Sequence, residues 1–375
     1  MKKLTVLAMI LAPAMLLAQK KAPSTYDLVI GTYTKGKSQG IQVYRFYTET
    51  GKLAYLSQVP TSNPSYVTVS NDNKFVYAVN EDGKDGGVSA FKFDANTGVL
   101  TFINKQSSQG ADPCYIAVDK AKKNLLVANY SSGNLTVLPV NKDGSVSAVS
   151  QNLQDEGKGP NASRQEKAHV HMGAFTPDEK FVLYTDLGID KVNVARYKAN
   201  AEKPLQLLPQ NAATVMGGHG PRHFVFSNDR KFVYLVTEMG SQIYSYKYDD
   251  GKLKQIQSVT MLPDGFSGDT GAAAIKISPD GRFLYASNRG AADDIVIYSI
   301  NKESGMLTYV DRVSSLGNNP RDFAIDPTGN FLLVANQDSD NIVVYKINQS
   351  TGKLTLTATR VDIGNPVCLK FTSAQ

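Results

Sequence analysis

No tryptophan occurs among the 375 residues, cysteine occurs twice and histidine four times. Two cysteines, Cys114 and Cys368, cannot staple a small secreted scaffold, so the fold must be held by a core. A hydrophobic content of 42% over this length is enough for one large domain or two ordinary ones. Charged residues make up 20%, which argues against disorder. The net charge is +6, or +4 without Lys2 and Lys3, and no basic run concentrates it. Neither nucleic acid nor a membrane surface is therefore expected as a partner. Helical periodicity is absent after residue 18.

The chain starts MKKLTVLAMILAPAMLLAQKKAPS. Two lysines, an apolar run from Leu4 to Ala18 and a small residue before a polar stretch form the pattern of a signal peptide cut after Ala18. The run is too short for a comfortable membrane span. No cysteine follows it, so a lipoprotein anchor is unsupported. Residues 1–18 are expected to be a leader and 19–375 an exported, periplasmic domain that keeps no membrane attachment.

What is present is a repeat. KFVYAVN ends at Asn80, NLLVAN at Asn129, KFVLYTD at Asp186, KFVYLVT at Thr237, RFLYASN at Asn288 and NFLLVAN at Asn336. DLVIGT, ending at Thr32, is a shortened first copy, and the steps are 48, 49, 57, 51, 51 and 48 residues. A steady period in this range signals a solenoid or propeller. Each unit runs from an Asn-Pro-like start through a first strand and a polar turn such as SNDNK or SPDGR. The apolar strand above comes next, then an alternating strand such as GVSAFKF, a TGKL-type turn and a fourth strand. Short apolar or alternating runs bounded by Gly, Asn, Asp and Pro are strands. The expected fold is an all-β, seven-bladed propeller with four-stranded antiparallel blades. The first unit lacks its inner strand, and NPVCLKF at residues 365–371 is the spare one. The C-terminus should therefore complete the N-terminal blade and close the ring, removing open sheet edges. Without tryptophan there is no WD signature.

With strands lettered a to d from the axis outward, the d-to-a and b-to-c connections share one face. Aligning the units puts Ser65, Cys114, His171, Arg222, Ala273, Arg321 and Val367 at the start of strand a. The slot after strand b holds Tyr33, Glu81, Tyr130, Leu187, Glu238, Arg289 and Gln337. All four histidines, His169, His171, His219 and His223, fall in two neighbouring units, and His169, His171 and His223 fall at this mouth. One end of the channel should thus gather His171, Arg222, Glu238, Arg289 and Arg321, and a concave mouth with converging polar groups is where a site is expected.

LVIGTYT, HVHMGAFTPD, GPRHFVFSNDRKFVY, VTEMGSQIYSY and SPDGRFLYASNRG together resemble the lactonase family of seven-bladed propellers, over nearly all of the chain after the leader. That family includes propeller-type 6-phosphogluconolactonases and a carboxymuconate-lactonizing enzyme. The resemblance implies hydrolysis of a sugar-type lactone without a cofactor, with His171, Arg222, Glu238 and Arg289 as the functional set. Export departs from what a cytoplasmic sugar-phosphate enzyme would need.

On this reading His171 acts as general base and then acid, because imidazole titrates near neutrality. Glu238 orients the imidazole or assists with the proton, and Arg222 and Arg289 hold the oxyanion or an anionic group. His169, His223, Arg321, Glu81 and Tyr130 are expected to contact substrate, although His223 also reads as a satisfied wall residue. His219 reads as a loop histidine. His169 and His171, two apart on a strand, should share a face, but no further ligand stands at a metal-binding spacing and no metal is assigned. Cys114 and Cys368 lie in non-adjacent blades and are expected as buried free thiols. Asp293 and Asp294 read as a solvated loop. The competing readings are a non-catalytic exported propeller that binds a sugar or protein, and a lactonizing isomerase acting on an unsaturated diacid. The oligomeric state is not legible.

Overall fold

The computed structural model describes residues 24–373. The expected leader, residues 1–18, lies outside the described residues. Seven antiparallel sheets of four strands follow one another, one of them carrying a short extra strand at Ala213–Thr214. The inner strands are Pro366–Phe371, Val67–Val69, Pro113–Val118, Val170–Phe175, Pro221–Phe226, Thr270–Ile277 and Pro320–Ile325, for blades 1 to 7 in turn. Neighbouring inner strands touch around the axis, so the sheets form a closed ring.

The ring is fastened as the spare strand requires. Thr25–Thr32, the second strand of blade 1, pairs with Pro366–Phe371, from Leu28 opposite Phe371 to Gly31 opposite Cys368. Thr372 N donates to Asp27 O at 2.9 Å, and Asp27 N donates to Thr372 Oγ1 at 3.2 Å. Asp27 also accepts from Arg45 Nε and Nη2 at 2.8 and 3.2 Å, which fixes this seam to the third strand.

Strand b is buried over its whole length in blades 2, 3, 4, 5 and 7, as in FVYAVN, NLLVAN and FVLYTD, and from Phe283 to Asn288 in blade 6. It is covered by a blade on each side, so it reads as a continuous apolar run rather than an alternating one. Strand d is mostly half-exposed, because its outer edge faces water. The TGKL-type turns also join blades. Gly305 has φ +72°, and a Cβ there would stand 2.3 Å from the Phe232 ring of the preceding blade. Glycine alone satisfies both the left-handed backbone and that approach.

Both cysteines are buried free thiols, in blades 3 and 1. Among the described residues no helix is long and apolar enough to cross a membrane.

Candidate active site

The slots read from the sequence have a backbone cause. Cys114, His171, Arg222, Arg321 and Val367 have no partner in the a–b ladder, because each is the extra residue of a bulge. Ala272–Ile275 is bulged in the same place. A bulge interrupts the alternation of strand a and re-aims the side chain at that point. The residue entering strand a has a left-handed backbone at Asn63, Asp112, Gly220, Asn319 and Asn365, a conformation open to Asn, Asp and Gly at low cost. Its carbonyl then accepts from the residue leaving strand b: Glu81 N to Asn63 O, Tyr130 N to Asp112 O and Glu238 N to Gly220 O. Each blade thus pins its two mouth-facing slots together.

These slots surround a cavity of about 520 Å³ at one end of the axis. Tyr33, Glu81, Cys114, Tyr130, His171, Glu238, Arg289 and Arg321 line it, joined by Arg164 and by the 269–271 and 319 segments. Every blade contributes, which no single stretch of chain could do.

Glu238 is the electrostatic centre. Its Oε2 accepts from Arg222 Nε at 2.9 Å and lies 3.0 Å from Arg289 Nη2, while Oε1 accepts from Arg164 Nη2 at 2.5 Å. Burial pushes its pKa up, but the Arg289 and Arg222 charges outweigh burial and hold the carboxyl well below its usual range. Glu238 is thus a fixed anion that locks three guanidinium groups. Arg289 is held further by Nε donating to Gly271 O at 2.9 Å.

His171 lies beside this cluster, buried among aromatic rings. Tyr130 and His223 meet it edge-on at 5.7 and 5.2 Å. Burial, followed by the Arg222 charge, drives its pKa well below the ordinary imidazole value, against the opposing effect of Glu238. The ring is neutral at neutral pH and can accept a proton. Its side-chain neighbour at Nδ1 is the Cys114 sulfur, 3.9 Å away, in a thiol that burial keeps protonated.

Arg321 differs from the other arginines. Among the described residues it makes no hydrogen bond or ion pair, and its guanidinium stands 5.5 Å from the centre of the Tyr33 ring. A cavity-lining cation without a carboxylate partner is a ready anion acceptor.

Residues 27–371 match the family described as "Lactonase, 7-bladed beta-propeller". The chain belongs to that family. It is 39% identical over 348 residues to the 6-phosphogluconolactonase of Bacillus subtilis, covering 91% of this chain and 97% of that one. It is 37% identical over 320 residues to the 6-phosphogluconolactonase of Formosa agariphila, covering 83% and 90% of the two chains. Among solved structures, the periplasmic gluconolactonase of Pseudomonas aeruginosa superposes with a TM-score of 0.90 at 38% identity, over 94% of this chain and all of that one.

Within this lactonase propeller, several side chains stand elsewhere than the sequence suggested. Arg222 was expected to face substrate, yet it does not line the cavity. It is 1% exposed, with Nη1 on Ala273 O at 2.5 Å, and burial lowers its pKa to about 10, helped by the Arg289 charge. Its place is behind Glu238. Glu238 in turn makes no hydrogen bond to His171 among the described residues, because its oxygens are taken by arginines.

His169 does not share a strand face with His171. The strand starts at Val170, and His169 lies before it, stacked 4.5 Å from the Tyr130 ring with Nδ1 3.1 Å from Tyr130 O. Its Nε2 lies 3.2 Å from Glu166 Oε1 without the alignment of a hydrogen bond. His169 thus backs Tyr130 instead of reaching the cavity. His223 does not line the cavity either: it is buried, edge-on to His171, Tyr66 and Tyr115. His219 is a loop residue beside Tyr244 OH at 3.1 Å. The pair Asp293 and Asp294 is not a solvated loop throughout: Asp294 is buried and 2.9 Å from Arg312 Nη1, and burial raises its pKa to about 6 despite that partner.

Arg164 was missed. It lies in the d-to-a loop of the longest repeat step, the 57 residues between Asn129 and Asp186. That surplus length on the mouth face was the available signal.

Proposed function

We propose that the chain hydrolyses a sugar-type lactone, of the 6-phosphogluconolactone kind, to its open hydroxy acid at this mouth. The observation that carries the reading is a neutral, buried imidazole opening on the same cavity as a carboxylate-locked set of arginines. His171 removes a proton from water as it attacks the lactone carbonyl. Arg289 and Arg321 face the developing oxyanion or an anionic substituent. Glu238, itself held by Arg222, keeps Arg289 in place, and Tyr130 walls the imidazole. The names of the Bacillus and Formosa relatives support a lactone substrate.

Export belongs to the same proposal: the leader pattern of residues 1–18 and the name of the Pseudomonas neighbour both support a periplasmic domain at 19–375. An exported enzyme would meet unphosphorylated sugar lactones as well as phosphorylated ones. The test is to compare turnover of 6-phosphogluconolactone and gluconolactone with the spontaneous rate, for the wild type and for His171→Ala. Wild-type rates equal to the blank on both lactones would refute the activity, and full activity in His171→Ala would refute the role of the imidazole.

A further inference from the structure

We propose that Glu81 is the general acid that protonates the leaving ring oxygen when the lactone opens. The proposal rests on the lactonase reading and adds a second proton-handling group to it.

Glu81 leaves strand b of blade 2 and lines the same cavity as His171, two blades further round. The two carboxyl groups at this mouth are built differently. Glu238 has both oxygens occupied by guanidinium groups. Glu81 has none within ion-pairing distance among the described residues. Its Oε1 accepts from Tyr33 OH at 2.9 Å, and its Oε2 is buried without a hydrogen-bond partner. The Ser65 hydroxyl, also buried and unpartnered, lies close by without hydrogen-bond geometry.

A buried carboxylate with an orphaned oxygen is unfavourable, and a proton on the carboxyl relieves that cost. Oε2 is sealed from the cavity, so the proton is delivered from Oε1, beside the Tyr33 hydroxyl that lines the same cavity. The groups facing Glu81 are Tyr33 from blade 1, Arg321 from blade 7, and Asp112 and Cys114 from blade 3. Burial raises the Glu81 pKa, the Arg321 charge and the Ser65 and Tyr33 hydroxyls oppose it, and Asp112 adds to the rise. The environments of His171 and Glu81 therefore push a base down and an acid up, which is how one site keeps both protonation states ready.

The step balances. Water loses a proton to His171 as its oxygen bonds to the carbonyl carbon. The bond from that carbon to the ring oxygen then breaks, and the ring oxygen takes the Glu81 proton. The product is a carboxylate and a hydroxyl. The imidazolium releases a proton to solvent, the new carboxylic acid loses its own, and Glu81 regains one, for a net release of one proton.

The test compares the wild type, Glu81→Gln and Glu81→Asp on two lactones. Gluconolactone expels an aliphatic alkoxide, which needs protonation, and dihydrocoumarin expels a phenolate, which does not. Glu81→Gln should lower kcat on gluconolactone by about 100-fold or more. KM should stay within about threefold, and turnover of dihydrocoumarin should fall by less than about fivefold. The alkaline limb of kcat/KM on gluconolactone should vanish in Glu81→Gln and return in Glu81→Asp. Dihydrocoumarin turnover also reports whether the variant is folded. Equal losses on the two lactones, or an alkaline limb that persists in Glu81→Gln, would overturn the role of Glu81 and leave the lactonase reading standing. A wild type inactive on every lactone would overturn both.

Discussion

Arg222 Nε donates to Glu238 Oε2 at 2.9 Å, and both side chains are buried. The pair joins the inner strand of blade 5 to the loop leaving its second strand, and Arg222 continues to Ala273 O in blade 6. Removing one partner of a buried pair strands the other groups, at a typical cost of about 3–5 kcal/mol. Arg222→Met should destabilise the domain at the lower end of that range, since Glu238 keeps Arg289 and Arg164. Urea unfolding is the measurement, and a loss under about 1 kcal/mol would mean that the pair contributes little.

The same charge tunes the imidazole. Burial and then Arg222 hold His171 below its ordinary pKa, so its basic form persists to lower pH than usual. The acid limb of wild-type kcat/KM should lie below about pH 6.5. It should move upward in Arg222→Met, because a positive charge that opposes protonation has gone. A limb that moves down or stays in place would separate it from His171.

Arg164 sets a different expectation. Its side chain is 43% exposed and bridges Glu238 Oε1 and Tyr130 OH. Arg164→Ala should change stability by no more than about 1 kcal/mol. It should raise KM several-fold for an acidic lactone and less for a neutral one, with the difference shrinking in high salt. Equal effects on charged and neutral lactones would make Arg164 a part of the wall only.

Asp186 carries a pH-dependent stability. Burial is the main cause of a pKa near 8, the amides of His169 and Gly188 oppose it, and the Asp155 charge adds to the rise. Its Oδ1 accepts those amides at 2.7 and 2.9 Å, while Oδ2 is buried without a partner. The folded chain keeps this proton at pH values where the unfolded chain has released it. Stability therefore falls as pH rises from about 4 to 8 on this group's account. Asp186→Asn retains an acceptor for both amides and cannot ionise. Its thermal midpoint relative to wild type should improve steadily across that window, and a constant offset would refute the shift.

How much of this was legible differs from residue to residue. The repeat, the blade count and the ring closure were readable because strand b is apolar in every unit and the spare strand stands at the other terminus. The alignment also placed His171, Glu238, Arg289, Arg321, Glu81 and Tyr130 at one mouth, since slots of a repeat map to fixed places on a blade. Alternation failed at His169, because a bulge at His171 breaks the period that would have put both on one face.

The order of the strands, the closing of the ring and the mouth that collects the polar slots follow from the sequence alone, for they depend on period and on apolar pattern. Which slots reach the cavity was decided by packing in three dimensions. Arg222 is turned inward because Glu238 and the Ala273 carbonyl capture its guanidinium, and Arg164 arrives on a loop whose path no periodicity records. Partners distant in the chain choose the direction of a side chain, and only the closed ring sets those partners side by side.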